Sequence, residues 1–324
     1  MIYIFIFLLL LPLSAFSSAF PSPATPISTE VDQMYYFIHV LSLGCGLLIV
    51  GAFILFAVLY RRKNNSQATA TVHHNAWLEW TWSIIPFFIF MFMFAWGWLV
   101  YDKMRTPYKN ALEIHVYGQM WNWDYVYKNG RKTAEALYVP VNTPVKLIMT
   151  SRDVIHSFYV PAFRIKQDVL PNRYTALWFK ATRKGLFNIF CTEYCGTGHY
   201  SMLSKVHVMS LEDWEKWIST DPYEGLSMVE IGQKVFRGRC TACHQTTTQK
   251  MIGPGLAGIF GSVRHFEEQD SLTADENYIR ESILNPSVRI VKDFPDQMTP
   301  FAGLLQEEEM TGLVEYIKSL KPEK

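Results

Sequence analysis

Apolar residues run along the first third of the chain in long uninterrupted stretches and then give way to alternation. Residues 2–13 are an apolar run followed by the small residues Ser14-Ala-Phe-Ser-Ser-Ala19. Twelve apolar residues are short for about 30 Å of hydrocarbon, so 1–19 reads as a cleaved signal peptide. Tyr35 to Tyr60 is almost continuously apolar and ends at Arg61-Arg-Lys63, and a second run from Trp80 to Tyr101 carries tryptophans and a tyrosine toward its ends. Helices of this length span a bilayer, interfacial aromatics suit their ends, and the basic cluster stays on the cytoplasmic side. The pattern predicts a transmembrane hairpin over 30–105, with spans at about 35–60 and 80–101 and everything after Asp102 outside.

From about Leu112 the period becomes two. Trp121, Trp123, Tyr125 and Tyr127 fall on one face of a predicted strand ending at Lys128-Asn-Gly130, and Val145, Leu147 and Met149 alternate again. Leu186 to Phe190 and Val206 to Met209 read as further strands. Short strands without a long helix until about Leu211 predict a small antiparallel sandwich or barrel over 110–218. A short helix from Leu211 to Trp217 leads to a linker at 219–225. Helical patterns at Met228–Phe236, Asn277–Leu284 and Gln306–Leu320 then predict an all-α domain over 226–322.

A chain of 324 residues suits two external domains plus the anchor. Thirty basic against 29 acidic residues, without a long basic run, give no basis for nucleic-acid binding through phosphate neutralisation. Four of the five cysteines lie in two short motifs, which argues against a disulfide scaffold; the fifth, Cys45, reads as a small buried hydrophobe.

The first motif is Cys191-Thr-Glu193-Tyr-Cys195-Gly-Thr-Gly-His199-Tyr-Ser-Met202, with His156 ending an upstream segment that a sheet can bring alongside. Thiolates, thioether and imidazole are the soft donors that copper prefers. Spacing alone leaves a structural zinc site and a Cys191–Cys195 disulfide open as well. The second motif, Cys240-Thr-Ala-Cys243-His244, has the signature of covalent c-type haem attachment, with His244 reaching the iron. A thioredoxin-like dithiol is the competing reading, disfavoured by the adjacent histidine and the lack of a βαβ pattern.

The stretch 30–218 resembles cytochrome c oxidase subunit II in the hairpin, in Gly118-Gln-Met-Trp-Asn-Trp123, in Asp153-Val-Ile-His156-Ser-Phe and in the cysteine loop. The resemblance implies a cupredoxin-like β domain holding binuclear copper A. It makes Cys191 and Cys195 bridging thiolates, His156 and His199 terminal ligands, Met202 a weak ligand and Glu193 a ligand through its carbonyl. It further implies that the Glu193 carboxylate points to magnesium shared with the large subunit. Trp121 matches the tryptophan where electrons enter, although Asn122 replaces the usual aromatic after it. Glu79 matches a glutamate at the cytoplasmic mouth of a proton pathway, while a carboxylate at a helix N-terminus also favours the helix dipole.

Residues 226–322 resemble a small class I cytochrome c, through Ile252-Gly-Pro-Gly255-Leu and Met298-Thr-Pro-Phe301. This implies Met298 as the sixth haem ligand, with Met251 and Met310 packing and His265 a weaker candidate. The implied function is that of an electron-transfer subunit in a bacterial cytoplasmic membrane, its metal domains on the periplasmic face. It would take electrons from a cytochrome c or other donor and pass them to an oxygen-reducing, proton-translocating subunit I, beside subunit III. The copper A subunit of a nitric oxide reductase and a membrane-tethered copper chaperone are the alternatives, the latter opposed by the haem motif.

Overall fold

Two long helices and a two-part external region follow one another in the computed structural model, which describes residues 20–64, 74–134 and 136–322. The expected signal peptide lies outside the described residues. Helix α1 (Pro26–Leu59) and helix α2 (Ala76–Arg105) form the hairpin. Thr25 and Ser28 close a capping box ahead of α1 and Pro26 occupies its first turn, so the helix begins well before the apolar run at Tyr35. Caps set the true start, which hydropathy alone conceals. Both helices are apolar all round, and residues such as Leu48, Phe53, Phe88 and Trp98 are exposed, as lipid-facing side chains must be. Cys45, expected to be buried, is exposed on α1. Phe37 of α1 meets Phe92 and Trp96 of α2 with ring centroids 5.6 Å away in each case.

The β region comprises β1 (Leu112–Gln119), β2 (Asn122–Tyr127), β3 (Lys132–Thr133), β4 (Leu137–Pro140), β5 (Pro144–Ser151), β6 (His156–Val160), β7 (Ile165–Val169), β8 (Thr175–Lys180), β9 (Gly185–Cys191) and β10 (Leu203–Met209). They form two five-stranded sheets in the orders β3-β2-β1-β5-β8 and β4-β10-β9-β6-β7. The sandwich is not purely antiparallel as expected: β1 pairs with β5 and β10 with β4 in parallel. The reason is topological. The chain crosses to the second sheet for β4 and returns to the first for β5, and such a crossover delivers a strand in the same direction as its neighbour. Ile114, Val116, Tyr125, Leu147 and Met149 from one sheet meet Phe158, Ile189 and Val206 from the other in a fully buried core.

Trp121 also departs from expectation. The strand begins at Asn122, and Met120-Trp121 is the turn between β1 and β2, where Gln119 pairs with Asn122. Trp123, Tyr125 and Tyr127 keep the predicted inward face, whereas Trp121 is released from the strand's alternation. At the other edge, residues 20–24 lie along the sandwich, with Ala24 donating to the Ala162 carbonyl at 3.0 Å and accepting from the Thr182 amide at 2.9 Å.

Helix α3 (Leu211–Ser219) closes the sandwich, and Trp217 stacks on Tyr138. The last hundred residues hold α4 (Met228–Arg239), the short pair β11 (Val263–Arg264) and β12 (Leu272–Thr273), α5 (Glu276–Leu284) and α6 (Glu307–Ser319). A Ser227–Glu230 capping box starts α4. Ile231, Val235 and Phe236 of α4 join Tyr278, Ile279, Leu313, Val314 and Ile317 in one core. The α4–α6 crossing is glycine to glycine: a Cβ on Gly232 would lie 1.9 Å from the Gly312 carbonyl oxygen.

Candidate metal and haem sites

The cysteine loop is stretched between β9 and β10, and its ends are tied. The Cys191 amide donates to the Met202 carbonyl at 3.3 Å and the Thr192 amide to the Ser157 carbonyl at 3.0 Å. Because Phe158 of β6 pairs with Cys191 of β9, His156 at the start of β6 is delivered to the loop from 35 residues upstream. The sequence-predicted donors therefore converge. Cys191 Sγ lies 3.9 Å from His156 Nδ1 and 3.3 Å from the Glu193 carbonyl oxygen; Cys195 Sγ lies 3.4 Å from His199 Nδ1 and 3.8 Å from Met202 Sδ. The two sulfurs are 3.8 Å apart, far beyond the roughly 2.05 Å of a disulfide bond. Met202 is fully buried, whereas the Glu193 carboxylate sits on an exposed residue.

The donor atoms of His156, Cys191 and Cys195 all lie within 4.8 Å of one another, and His199 falls outside that set. Bonds of about 2.0–2.3 Å let one tetrahedral ion take donors no further apart than roughly twice that length. A single tetrahedral ion is therefore matched to His156, Cys191 and Cys195, and His199 reaches the set only through Cys195.

Asp153, three residues before His156, also contributes to this site, which its spacing alone does not signal. Its carboxylate accepts from His156 Nε2 at 2.7 Å, from the Met120 amide at 2.6 Å and from the Val154 amide at 2.7 Å. Occupying Nε2 in this way turns the Nδ1 lone pair toward the sulfurs. Burial opposes charge on His156, but Asp153 and Cys191 prevail and raise its pKa, and the hydrogen bond from the Cys195 thiol, ahead of that from His156, holds Cys191 well below the usual thiol range. These shifts favour a thiolate at Cys191, the form in which a thiol binds a metal. Asp153→Asn is expected to weaken copper retention by about 10–100-fold in competition with a copper chelator, the usual effect of losing an outer-sphere carboxylate.

Trp121 is 4% exposed and its Nε1 donates to the Cys195 carbonyl at 3.0 Å. Glycine permits this approach: a Cβ on Gly198 would lie 2.4 Å from the indole ring. Trp121, with Met120, also lines a cleft shared with Cys240, Cys243, His244, Pro254, Met298 and the α5 side chain Ile279. Here His244 Nδ1 is 2.8 Å from the Pro254 carbonyl oxygen. A carbonyl only accepts, so Nδ1 carries the proton and Nε2 keeps its lone pair for a metal. Burial lowers the His244 pKa, favouring the neutral imidazole that a ligand must be. Gly253 leaves room beside that ring, since its Cβ would sit 2.5 Å from His244 Cε1.

Burial works against a thioredoxin-like role for the two thiols. Reactive dithiols have depressed pKa values, whereas burial pushes Cys240 up to about 12 and Cys243 to about 11. Of the other haem-ligand candidates, Met310 is buried in the helical core and His265 is bonded to Ser271 on an exposed surface. Glu79 lies in the first turn of α2, accepting from the Asn75 amide at 3.2 Å and paired with His74 at 2.7 Å.

A membrane-anchored metalloprotein, with a cupredoxin-like sandwich carrying a sulfur-rich copper-type site and a helical module built around a haem-attachment motif, is what the fold and these sites define. Family models agree segment by segment. The model described as "Cytochrome C oxidase subunit II, transmembrane domain" matches residues 14–97 and the one described as "Cytochrome C oxidase subunit II, periplasmic domain" matches 130–209, together just over half of the chain; the model "Cytochrome c" matches 229–321. The chain belongs to the cytochrome c oxidase subunit II family and carries a cytochrome c domain after it. A "Cytochrome c oxidase subunit 2" of Alkalihalophilus pseudofirmus is 28% identical over 314 residues, covering 90% of this chain and 86% of that protein. One of the same name from Cereibacter sphaeroides is 29% identical over 240 residues, covering 62% of this chain and 79% of that protein. A "Probable cytochrome c oxidase subunit 2" of Rickettsia conorii is 28% identical over 223 residues, covering 62% of this chain and 70% of that protein.

Proposed function

We propose that this chain is the electron-transfer subunit of an oxygen-reducing terminal oxidase in a bacterial cytoplasmic membrane, carrying electrons from a cytochrome c-type donor through its haem c and binuclear copper A to subunit I. When bound, these groups supply one-electron chemistry without proton or atom transfer. The observation that carries the reading is the position of Trp121, whose ring touches the copper loop on one side and lines the haem cleft on the other.

The residues divide the work. Cys191, Cys195, His156, His199, Met202 and the Glu193 carbonyl would hold the copper, with the two sulfurs shared between its ions. Two stiff sheets hold these donors, so the site rearranges little when its charge changes. Cys240 and Cys243 would anchor the porphyrin, and His244 through Nε2 and Met298 would ligate its iron, a pairing that raises a haem's potential. Trp121 lies between the cysteine loop and the cleft that would hold the haem. The exposed Glu193 carboxylate is free to meet magnesium at the face shared with subunit I, with subunit III beside it. Glu79 stands at the cytoplasmic end of the hairpin, where it takes up protons that subunit I translocates.

The test is the purified complex supplied with reduced cytochrome c. Oxygen consumption, two tightly held coppers and one haem c per chain of this subunit are expected, with turnover reduced in Glu79→Gln. Consumption of nitric oxide in place of oxygen would assign the relay to a different reductase, and a single labile copper would assign the chain to copper delivery.

A further inference from the structure

The sandwich and the cytochrome domain meet beside Trp121, and the contact contains a buried ionic cluster that neither metal site requires. Asp124 of β2 has a side chain only 5% exposed, and its carboxylate is met from both domains, with Asn122 Nδ2 of the sandwich also donating to Oδ1 at 3.5 Å. Oδ2 accepts from Arg152 of the sandwich at 2.6 Å, and Oδ1 accepts from Arg239, the last residue of α4 and the neighbour of Cys240. The Arg239 side chain is itself only 6% exposed, while Arg152 is 28% exposed and also donates to the Gln119 side-chain oxygen at 2.9 Å. Nearby, Thr299, which follows Met298, donates from its hydroxyl to the Met120 carbonyl at 3.0 Å. Two bonds from opposite rims of the haem cleft therefore end on the β1–β2 hairpin that carries Trp121.

We infer that Asp124 is a positioning residue: with Arg239 it clamps the cytochrome domain in one pose over Trp121, so that the haem cleft and the copper loop keep a fixed separation. Desolvated ion pairs contribute little net stability, but a partner left behind in the buried site is costly, which makes such a pair select one arrangement over its neighbours. Asp124 stays neutralised by Arg152 whether or not the domain is seated. Arg239 does not, and its burial holds only in the closed pose. A surface pair such as Lys146–Glu113, with side chains 30% and 48% exposed, has no such selectivity. The seated domain also covers Trp121, so an external donor reaches the copper site through the haem.

This inference rests on the proposed relay, and the test separates the two. In the complete oxidase, the haem c to copper A transfer rate after photoreduction of the haem is compared in wild type, Asp124→Asn, Arg239→Gln, the double variant and the surface control Lys146→Gln. Hydrogen exchange is followed at 119–124 and 297–301. A fall of about tenfold or more is expected in either single variant, no further fall in the double because the two act as one unit, and faster exchange in both segments, with haem and copper spectra unchanged. Arg239→Lys, which keeps the charge and loses the fork, should recover part of the rate. Should Asp124→Asn not assemble, Arg239→Gln and Arg239→Lys leave the Asp124–Arg152 pair intact and carry the comparison. Rates and exchange indistinguishable from Lys146→Gln, or losses that multiply in the double variant, would overturn the clamp. Absence of haem-to-copper transfer in the wild type would overturn the relay, and the clamp would then stand or fall on the exchange data alone.

Discussion

Cys191→Ser is expected to empty the copper site. Copper per chain should fall below about a tenth of the wild-type value, because a hydroxyl neither ionises near neutral pH nor offers the soft donor that copper selects. The magnitude follows from where the sulfur lies. Cys191 Sγ is the neighbour of Cys195 Sγ, His156 Nδ1 and the Glu193 carbonyl at once, so its loss removes a donor from both halves of the set. Met202→Leu supplies the contrast. It deletes a thioether on one side only and conserves volume at a fully buried position, so most copper should remain with altered spectroscopic parameters. Elemental analysis together with electron paramagnetic resonance of the intact oxidase reads both variants. Haem content should be unchanged in each, since Cys240, Cys243 and His244 follow α4 in the helical domain and none contributes to the donor set. Equal copper in Cys191→Ser and wild type would exclude the bridging role.

What the sequence revealed is what it stores locally. The cysteine loop brings four side-chain donors within twelve residues, and the haem motif brings three within five, so each could be read without a fold. His156 required the β6–β9 register, which alternation announces only as two separate strands. Parallel pairing of β1 with β5 was hidden for the same reason: hydrophobic period specifies a face, not a neighbour. The spacing of Trp121 continues that of Trp123 and Tyr125 and so predicts a strand, yet the turn at Met120-Trp121 frees it to reach the Cys195 carbonyl. Hydropathy places the start of helix α1 late because Ile27 to Glu30 is mixed in polarity, and the Thr25–Ser28 box shows where the backbone closes its first turn. The Asp124–Arg239 contact joins residues 115 apart in different domains and has no local signature at all.

Gly232→Ala is expected to damage the cytochrome domain alone, with the opposite sign from the usual helix-interior substitution. Alanine in place of glycine within a helix ordinarily stabilises by about 0.5–1 kcal/mol through lost backbone freedom. At this crossing the new methyl would stand 1.9 Å from the Gly312 carbonyl oxygen and 2.3 Å from its carbon. Both are backbone atoms of α6, so no side chain can swing away and the two helices must separate. Separation pulls Ile231 and Val235 off Leu313 and Ile317, the centre of the helical core. Overpacking of this kind costs about 3 kcal/mol or more, which in a domain of about 100 residues lowers the melting temperature by roughly 10–20 °C. Gly312→Ala should be milder, because its methyl would meet the Gly232 nitrogen and the Met228 carbonyl oxygen at 2.9 Å, a clash that a small shift relieves. Thermal loss of the haem absorbance, recorded beside the copper signal in the same oxidase, tests the order: Gly232→Ala lowest, Gly312→Ala intermediate, and copper retained below the temperature at which the haem domain melts. Equal melting for Gly232→Ala and wild type would mean that α4 and α6 do not cross on these glycines, and would remove the frame that fixes Cys240 and His244 at the end of α4.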